Sequence, residues 1–217
     1  VDDRDSDERL YAAWVLGDAR AGRDLVARRF DGVCRLLRSL LCGADVEDAI
    51  QLVFERLARR AAAGLPVDNV RAFVGGIARN VVRERIRGRA RVPVDLGEQS
   101  FADLDPSQSH AMVARERSNL LLKGLHRLPI DDQILLGLRF WQGLRTRELA
   151  EILELEHATV RSRLRRAKTR LAQILGELER RGEDGDTTVG SIEGWARGVG
   201  ARVEPPRDGR GSSSGLG

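Results

Sequence analysis

Apolar residues recur at three- and four-residue intervals through most of the chain, and no segment alternates as an amphipathic strand would. The pattern predicts a first helix over Ser6–Leu16, broken by Gly17 and Asp18. A second is expected from Gly22 to Leu41, with Leu25, Val26, Phe30, Val33, Leu36, Leu37 and Leu40 as its stripe. Asp45 suits the cap of a third, whose apolar line is Val46, Ile50, Val53 and Leu57, and which Gly64 and Pro66 end. The fourth runs from Asn69 to Arg87, with Gly88 and Pro93 as stop signals. Val92–Ser109 is polar, acidic and interrupted by Pro93, Gly97 and Pro106, the composition of a flexible linker. Helical periodicity returns near Ser107–Leu128, Asp131–Trp141, Thr146–Leu153 and His157–Arg180. The expected fold is therefore all-α: a helical domain over residues 1–91, a linker over 92–109 and a second helical domain over 110–180. From Arg181 to Gly217, glycine, serine, proline and charge predict a disordered tail, with Ile192, Trp195 and Val199 as its only anchoring candidates.

Thr146 to Leu171 carries the most specific signal. Thr146 suits the cap of a short helix, with Glu148 in its first, dipole-positive turn. Leu149, Ile152 and Leu153 give that helix an apolar face, and Ala150 leaves room for another helix to cross. A break at Glu154–Glu156 precedes a second helix, in which Val160, Leu164, Ala167 and Leu171 face inward. Its opposite side carries Ser162, Arg165 and Arg166, flanked by Arg161, Arg163, Lys168 and Arg170. An apolar back and a guanidinium-rich front suit a DNA major groove. A basic face is also common on plain solvated helices, and arginine is favoured throughout, Lys123 and Lys168 being the only lysines. What favours DNA contact is the position of these arginines directly after a short capped helix and a tight break. Turns of this kind prefer glycine where Glu154 stands, so that position is expected to be conformationally costly.

Charge agrees with a polyanionic partner. The formal net charge is +4 with a pI near 9.8, yet the chain opens on Asp2, Asp3, Asp5, Asp7 and Glu8 and turns basic later. Cys34 and Cys42 both lie in an apolar helical pattern and are expected to be buried free thiols. No membrane-length apolar run and no signal peptide is visible, which predicts a soluble, cytoplasmic protein without a membrane partner. His110, His126 and His157 are scattered without metal-ligand spacing, and no phosphate loop or nucleophile motif stands out. Asp131 and Asp132 read as the acidic start of a helix after Pro129. Neither an enzyme, a metal nor a cofactor is expected.

Two separated segments resemble the extracytoplasmic-function (ECF) sigma factors, the smallest class of bacterial sigma factors. DVEDAIQLVFERLARR (Asp45–Arg60), continued by VRAFVGGIARNVVRERIRGR (Val70–Arg89), is similar to their second region. LPIDDQILLGLRFWQGLRTRELAEILELEHATVRSRLRRAKTRL (Leu128–Leu171) is similar to their fourth region. The resemblance spans roughly Asp7–Leu178 and does not cover the tail. It implies core RNA polymerase and promoter DNA as partners, and an anti-sigma factor as a further one. Asp48, Gln51 and Phe54 would bind the clamp helices of the largest polymerase subunit, although Leu52 stands where relatives carry an acidic residue. Arg79, Asn80, Arg83, Arg85 and Arg87 would read and open the downstream, minus-ten element. Gly75 and Gly76 occupy positions usually bulky in relatives, which predicts weaker stacking on exposed bases. Thr159, Arg161, Ser162, Arg163, Arg165 and Arg166 would read the upstream, minus-thirty-five duplex. By the same analogy the Asp131–Trp141 helix would meet the flap of the second-largest subunit, and Asp95, Glu98, Asp103 and Asp105 of the linker would lie in the polymerase channels. A free-standing helix-turn-helix regulator, or a sigma-like decoy that binds polymerase without initiating, are the competing functions.

Overall fold

The computed structural model describes residues 3–41, 45–89 and 120–180. The expected linker, the tail, Cys42, His110 and most of the predicted Ser107–Leu128 helix lie outside the described residues. Helices α1 (Asp3–Val15), α2 (Ala19–Leu40), α3 (Asp45–Ala62) and α4 (Val70–Arg89) form the first half. The second comprises α5 (residues 120–126), α6 (Ile130–Phe140), α7 (Thr146–Leu153) and α8 (His157–Arg180). Among the described residues there is no strand.

Local chemistry sets the boundaries. Asp18 caps α2, its Oδ1 accepting from the Arg20 and Ala21 amides at 2.8 and 3.1 Å. Asn69, expected inside α4, instead caps it by accepting the Ala72 amide at 3.0 Å. Gly88 was the expected stop, but α4 continues through it to Arg89. A glycine ends a helix when it turns left-handed, as Gly17 (φ 102°) and Gly64 (φ 67°) do after α1 and α3; Gly88 does not.

The predicted stripes form the core. In the first half Leu25, Val33, Leu36 and Leu37 of α2 meet Val46, Val53 and Leu57 of α3 and Val74, Ala78 and Val81 of α4. Val26 and Phe30, counted in the α2 stripe, are only half-buried. Asp7 of α1 is fully buried and pairs with Arg29 Nε at 2.7 Å, tying α1 to α2. Glu8 accepts the Val70 amide at 3.2 Å, placing a carboxylate at the positive end of α4. Cys34 is a buried free thiol, and burial pushes its pKa up to about 11, with the Arg38 charge opposing the rise. In the second half Val160, Leu164, Ala167, Leu171, Leu175 and Leu178 form the inward stripe of α8. The two halves share one contiguous core, α2 lying against α6 and α4 against α7.

Candidate nucleic-acid interface

The predicted helix-turn-helix is present. Gly143 (φ 65°) turns the chain after α6, and buried Leu144 follows, its carbonyl accepting from Arg139 Nη1 at 3.0 Å. The expected cap Thr146 is instead the first helical residue of α7, and Arg145 occupies the N-cap with extended backbone. Its amide donates to the buried Glu148 carboxylate, which fills the capping role Thr146 was expected to play. At the far end Glu154 adopts φ 53° and ψ 45°, the left-handed conformation expected of a glycine there. The Leu155 amide then reaches back to the Ala150 carbonyl at 3.1 Å, and this six-residue closure sets the angle between α7 and α8.

On α8 the inward stripe leaves one face to solvent. Arg161, Ser162, Arg163, Arg165 and Arg166 are exposed and Thr159 is half-buried. Ser162 Oγ donates to the Thr159 backbone carbonyl at 2.9 Å, holding the Ser162 hydroxyl against the first turn of the helix. Two flanking cations are drawn into scaffolding. Lys168 Nζ lies 5.3 Å from the Phe140 ring centroid, and Arg170 pairs with Asp132 of α6. Arg165 and Arg166, flanked by Arg161 and Arg163, give the exposed side of α8 a positive surface of the kind that suits a major groove.

The predicted downstream readers all lie on α4 but meet different surroundings. Asn80 and Arg87 are exposed; Arg87 Nε also donates to the Arg83 carbonyl at 3.2 Å. Arg85 lies 3.6 Å from Asp45 of α3. Arg83 pairs with Asp131 of α6, from the other half of the molecule. Arg79 is half-buried, and burial lowers its pKa, with Arg83 adding to the effect and Asp131 and Glu154 opposing it. Glu84, not singled out from sequence, takes both Arg56 guanidinium nitrogens at 2.7 and 3.1 Å. Those bonds hold its carboxyl below the usual range and fasten α4 to α3. Gly75 and Gly76 part company. Gly76 faces open space, whereas a Cβ on Gly75 would come within 2.8 Å of Leu144 Cδ1. The sequence alone reads both glycines as a loss of stacking surface and does not show that Gly75 packs tightly against Leu144 of the second half.

The candidate polymerase face lies on α3. Asp48 and Gln51 are exposed, and Gln51 Nε2 donates to Glu55 at 2.8 Å. Phe54 is half-buried, stacked on Phe30 of α2 with centroids 5.8 Å apart. Leu52 is half-buried and packs on the core, so its apolar character serves the fold. Among the described residues no His, Cys, Asp and Glu side chains gather in a metal-binding group, and no helix is long and apolar enough to cross a membrane.

Comparison with known proteins agrees with this architecture. Residues 118–171, which contain the helix-turn-helix, match the Sigma-70, region 4 family. The chain is 30% identical over 176 residues to the ECF RNA polymerase sigma factor SigM of Mycobacterium tuberculosis, covering 80% of this chain and 86% of that one. It is 26% identical over 175 residues to the ECF RNA polymerase sigma-E factor of Haemophilus influenzae, covering 75% and 92%. The solved structure of CnrH in complex with the cytosolic domain of CnrY shares the fold, with a TM-score of 0.60 at 24% identity, over 79% of this chain and 98% of that one. The chain belongs to the ECF sigma factors of bacterial RNA polymerase. As such it is a transcription-initiation subunit that binds core polymerase and promoter DNA.

Proposed function

We propose a division of labour along the chain. Residues 1–91 form the polymerase-docking and downstream-reading domain, and residues 110–180 form the upstream-reading domain. The observation that carries this is the open arginine face of α8 behind a tight turn, combined in one chain with the arginine and asparagine strip of α4. On α8, Arg161, Arg163, Arg165 and Arg166 neutralise phosphates and reach base edges of the minus-thirty-five duplex, with Thr159 and Ser162 at the start of the face. On α4, Asn80 engages an unstacked base of the minus-ten element while Arg79, Arg83, Arg85 and Arg87 hold the backbone. Opening a base pair costs a few kcal/mol, approximately, which such contacts must offset. Asp48, Gln51 and Phe54 dock the polymerase clamp. The chemistry of RNA synthesis stays with core polymerase, and this subunit supplies the address and assists strand opening, in the cytoplasm where polymerase and DNA meet.

An inhibitory protein partner, an anti-sigma factor, fits the same reading. Its support is the family membership and the CnrH fold relative, which is bound to the cytosolic domain of CnrY.

Permanganate footprinting of the holoenzyme on a selected promoter tests the division. Asn80→Ala should abolish reactivity of unpaired thymines around the downstream element while protection of the upstream element persists. Arg165→Ala should weaken upstream protection first. Loss of both signals together in each variant would count against the division.

A further inference from the structure

The apolar stripe of α2 is wider than the bundle covers. Leu25, Val33, Leu36 and Leu37 are sealed in the core, yet Val26 and Phe30 beside them remain half-buried. With Trp14, Gly22, Arg23 and Ala27 they line an open groove of about 470 Å³ between α1 and α2. The Trp14 indole forms one wall and rests on the α2 backbone, since a Cβ on Gly22 would fall 2.6 Å from its Cε2. Leu16, in the turn that joins the two helices, is 89% exposed, so this end of the molecule leaves further apolar surface bare. Bare apolar surface of this kind marks a place where something else binds.

The chain carries a segment that matches the groove. Ile192, Trp195 and Val199 fall at i, i+3 and i+7, the spacing at which a helix presents one face. Such a face lies naturally in an apolar groove, and an indole brings roughly 150–250 Å² of area to bury. Charge agrees. Between Arg181 and Trp195 the chain has Glu183, Asp184, Asp186 and Glu193 and no basic residue. Arg23 lines the groove and Arg20 adjoins it in sequence; both are exposed, and neither pairs with an acid among the described residues. Exposed charges of this kind steer and orient more than they stabilise.

Reach is sufficient. The chain between Arg180, where α8 ends, and Ile192 can extend ~40 Å, whereas a body of this size has a radius of gyration of ~15 Å. The tether holds the segment at an effective concentration on the order of millimolar, at which even a weak contact is occupied. The arginine face of α8 would attract the same acids. Its exposed positions Arg161, Ser162, Arg163, Arg165 and Arg166 offer no apolar seat, however, for Ile192, Trp195 and Val199.

We propose that the groove between α1 and α2 is the intramolecular docking site of the segment Ile192–Val199. Trp195 seats between Trp14, Val26 and Phe30, and the acids ahead of it run past Arg20 and Arg23. Docking covers Phe30, whose ring stacks on Phe54 of α3, so the docked segment borders the α3 face assigned above to polymerase. The docking itself does not depend on that assignment. The segment is thus a built-in competitor for any protein that would bind the α1–α2 surface.

The test is disulfide trapping in the full chain carrying Cys42→Ser, with Cys34 left buried. The first pair joins Ala27→Cys, exposed on the groove, to Ala196→Cys beside Trp195; the second joins Ser162→Cys, exposed on α8, to Ala196→Cys. Mass spectrometry of the linked peptides follows mild oxidation, each rate being divided by the thiol's own rate with glutathione disulfide. The expected result is linkage within one chain, at least ~5-fold faster for the first pair than for the second. Trp195→Ser or Val26→Glu should slow the first pair to the rate of the second. Circular dichroism checks that the helices persist, and Trp195→Ser, which leaves α1 to α8 untouched, stands as the test should Val26→Glu fail to fold. Equal rates, a rate indifferent to Trp195→Ser, or faster linkage of the second pair would overturn the proposal. So would linkage of the first pair only between chains, which would make a second copy the occupant.

Discussion

Glu148 at the start of α7 and Asn69 at the start of α4 share one contact across the molecule, Asn69 Nδ2 donating to Glu148 Oε1 at 3.4 Å. The second Glu148 oxygen accepts the Arg145 amide, and the side chain is only 4% exposed. One carboxylate thus closes the first turn of the helix-turn-helix and touches the cap of α4. Glu148→Ala leaves the Arg145 amide and Asn69 without that partner, and should destabilise the fold by about 1–2 kcal/mol. Urea unfolding of both proteins checks this, and Glu148→Gln should recover part of the loss.

Glu154 is the one non-glycine residue at positive φ among the described residues. A left-handed conformation costs a side-chain-bearing residue roughly 1–2 kcal/mol, and glycine returns part of that as lost chain entropy. Glu154→Gly should therefore stabilise the protein by about 0.5–1 kcal/mol, measured by the same unfolding curves, without loss of upstream DNA affinity.

On α8, Arg165→Ala and Arg166→Ala remove exposed guanidiniums that hold no packing role. Each should weaken binding to an upstream-element duplex and reduce the slope of log K against log salt by about 1 for a lost phosphate contact. A variant that instead loses discrimination between cognate and altered duplex, with the slope unchanged, would mark that arginine as a base reader. Thermal stability should stay at the wild-type value in both cases.

Cys34 gives a pH dependence with a definite sign. An unfolded thiol titrates near 8.5, approximately, whereas burial raises the folded group to about 11. Because the folded pKa is raised, the full stability is present below the unfolded value and is lost as pH climbs between the two. Comparing unfolding free energies at pH 8 and pH 10 should show a decline in the wild type that is smaller in Cys34→Ala. Native Cys34 should also resist thiol reagents at neutral pH, reacting only after unfolding.

Much of this was legible in the sequence because helices advertise one buried stripe. Val160, Leu164, Ala167 and Leu171 on α8 and Val46, Ile50, Val53 and Leu57 on α3 were all placed in the core by spacing alone, and the break at Glu154 survived the absence of glycine. Caps were less legible. Thr146 and Asn69 each satisfy the local chemistry of a cap or a first turn, and only the partners decide: Glu148 reaches Arg145, while Asn69 accepts the Ala72 amide. Least legible was what the two halves do to each other. Gly75 and Asp131 read as a gap in a stacking surface and an acidic helix start, because periodicity within one helix carries no information about a helix sixty residues away. The open arginine face of α8 was legible for the opposite reason, since it depends on its own helix alone.

The most direct test of the central claim is in vitro transcription with sigma-free bacterial core polymerase and a pool of random promoter fragments. The account predicts discrete start sites whose upstream sequences share two spaced elements, lost with Asn80→Ala at the downstream element and with Arg165→Ala and Arg166→Ala at the upstream one. No specific transcripts from a protein that binds core and upstream duplex would contradict it, and would make the chain a docking protein that does not initiate.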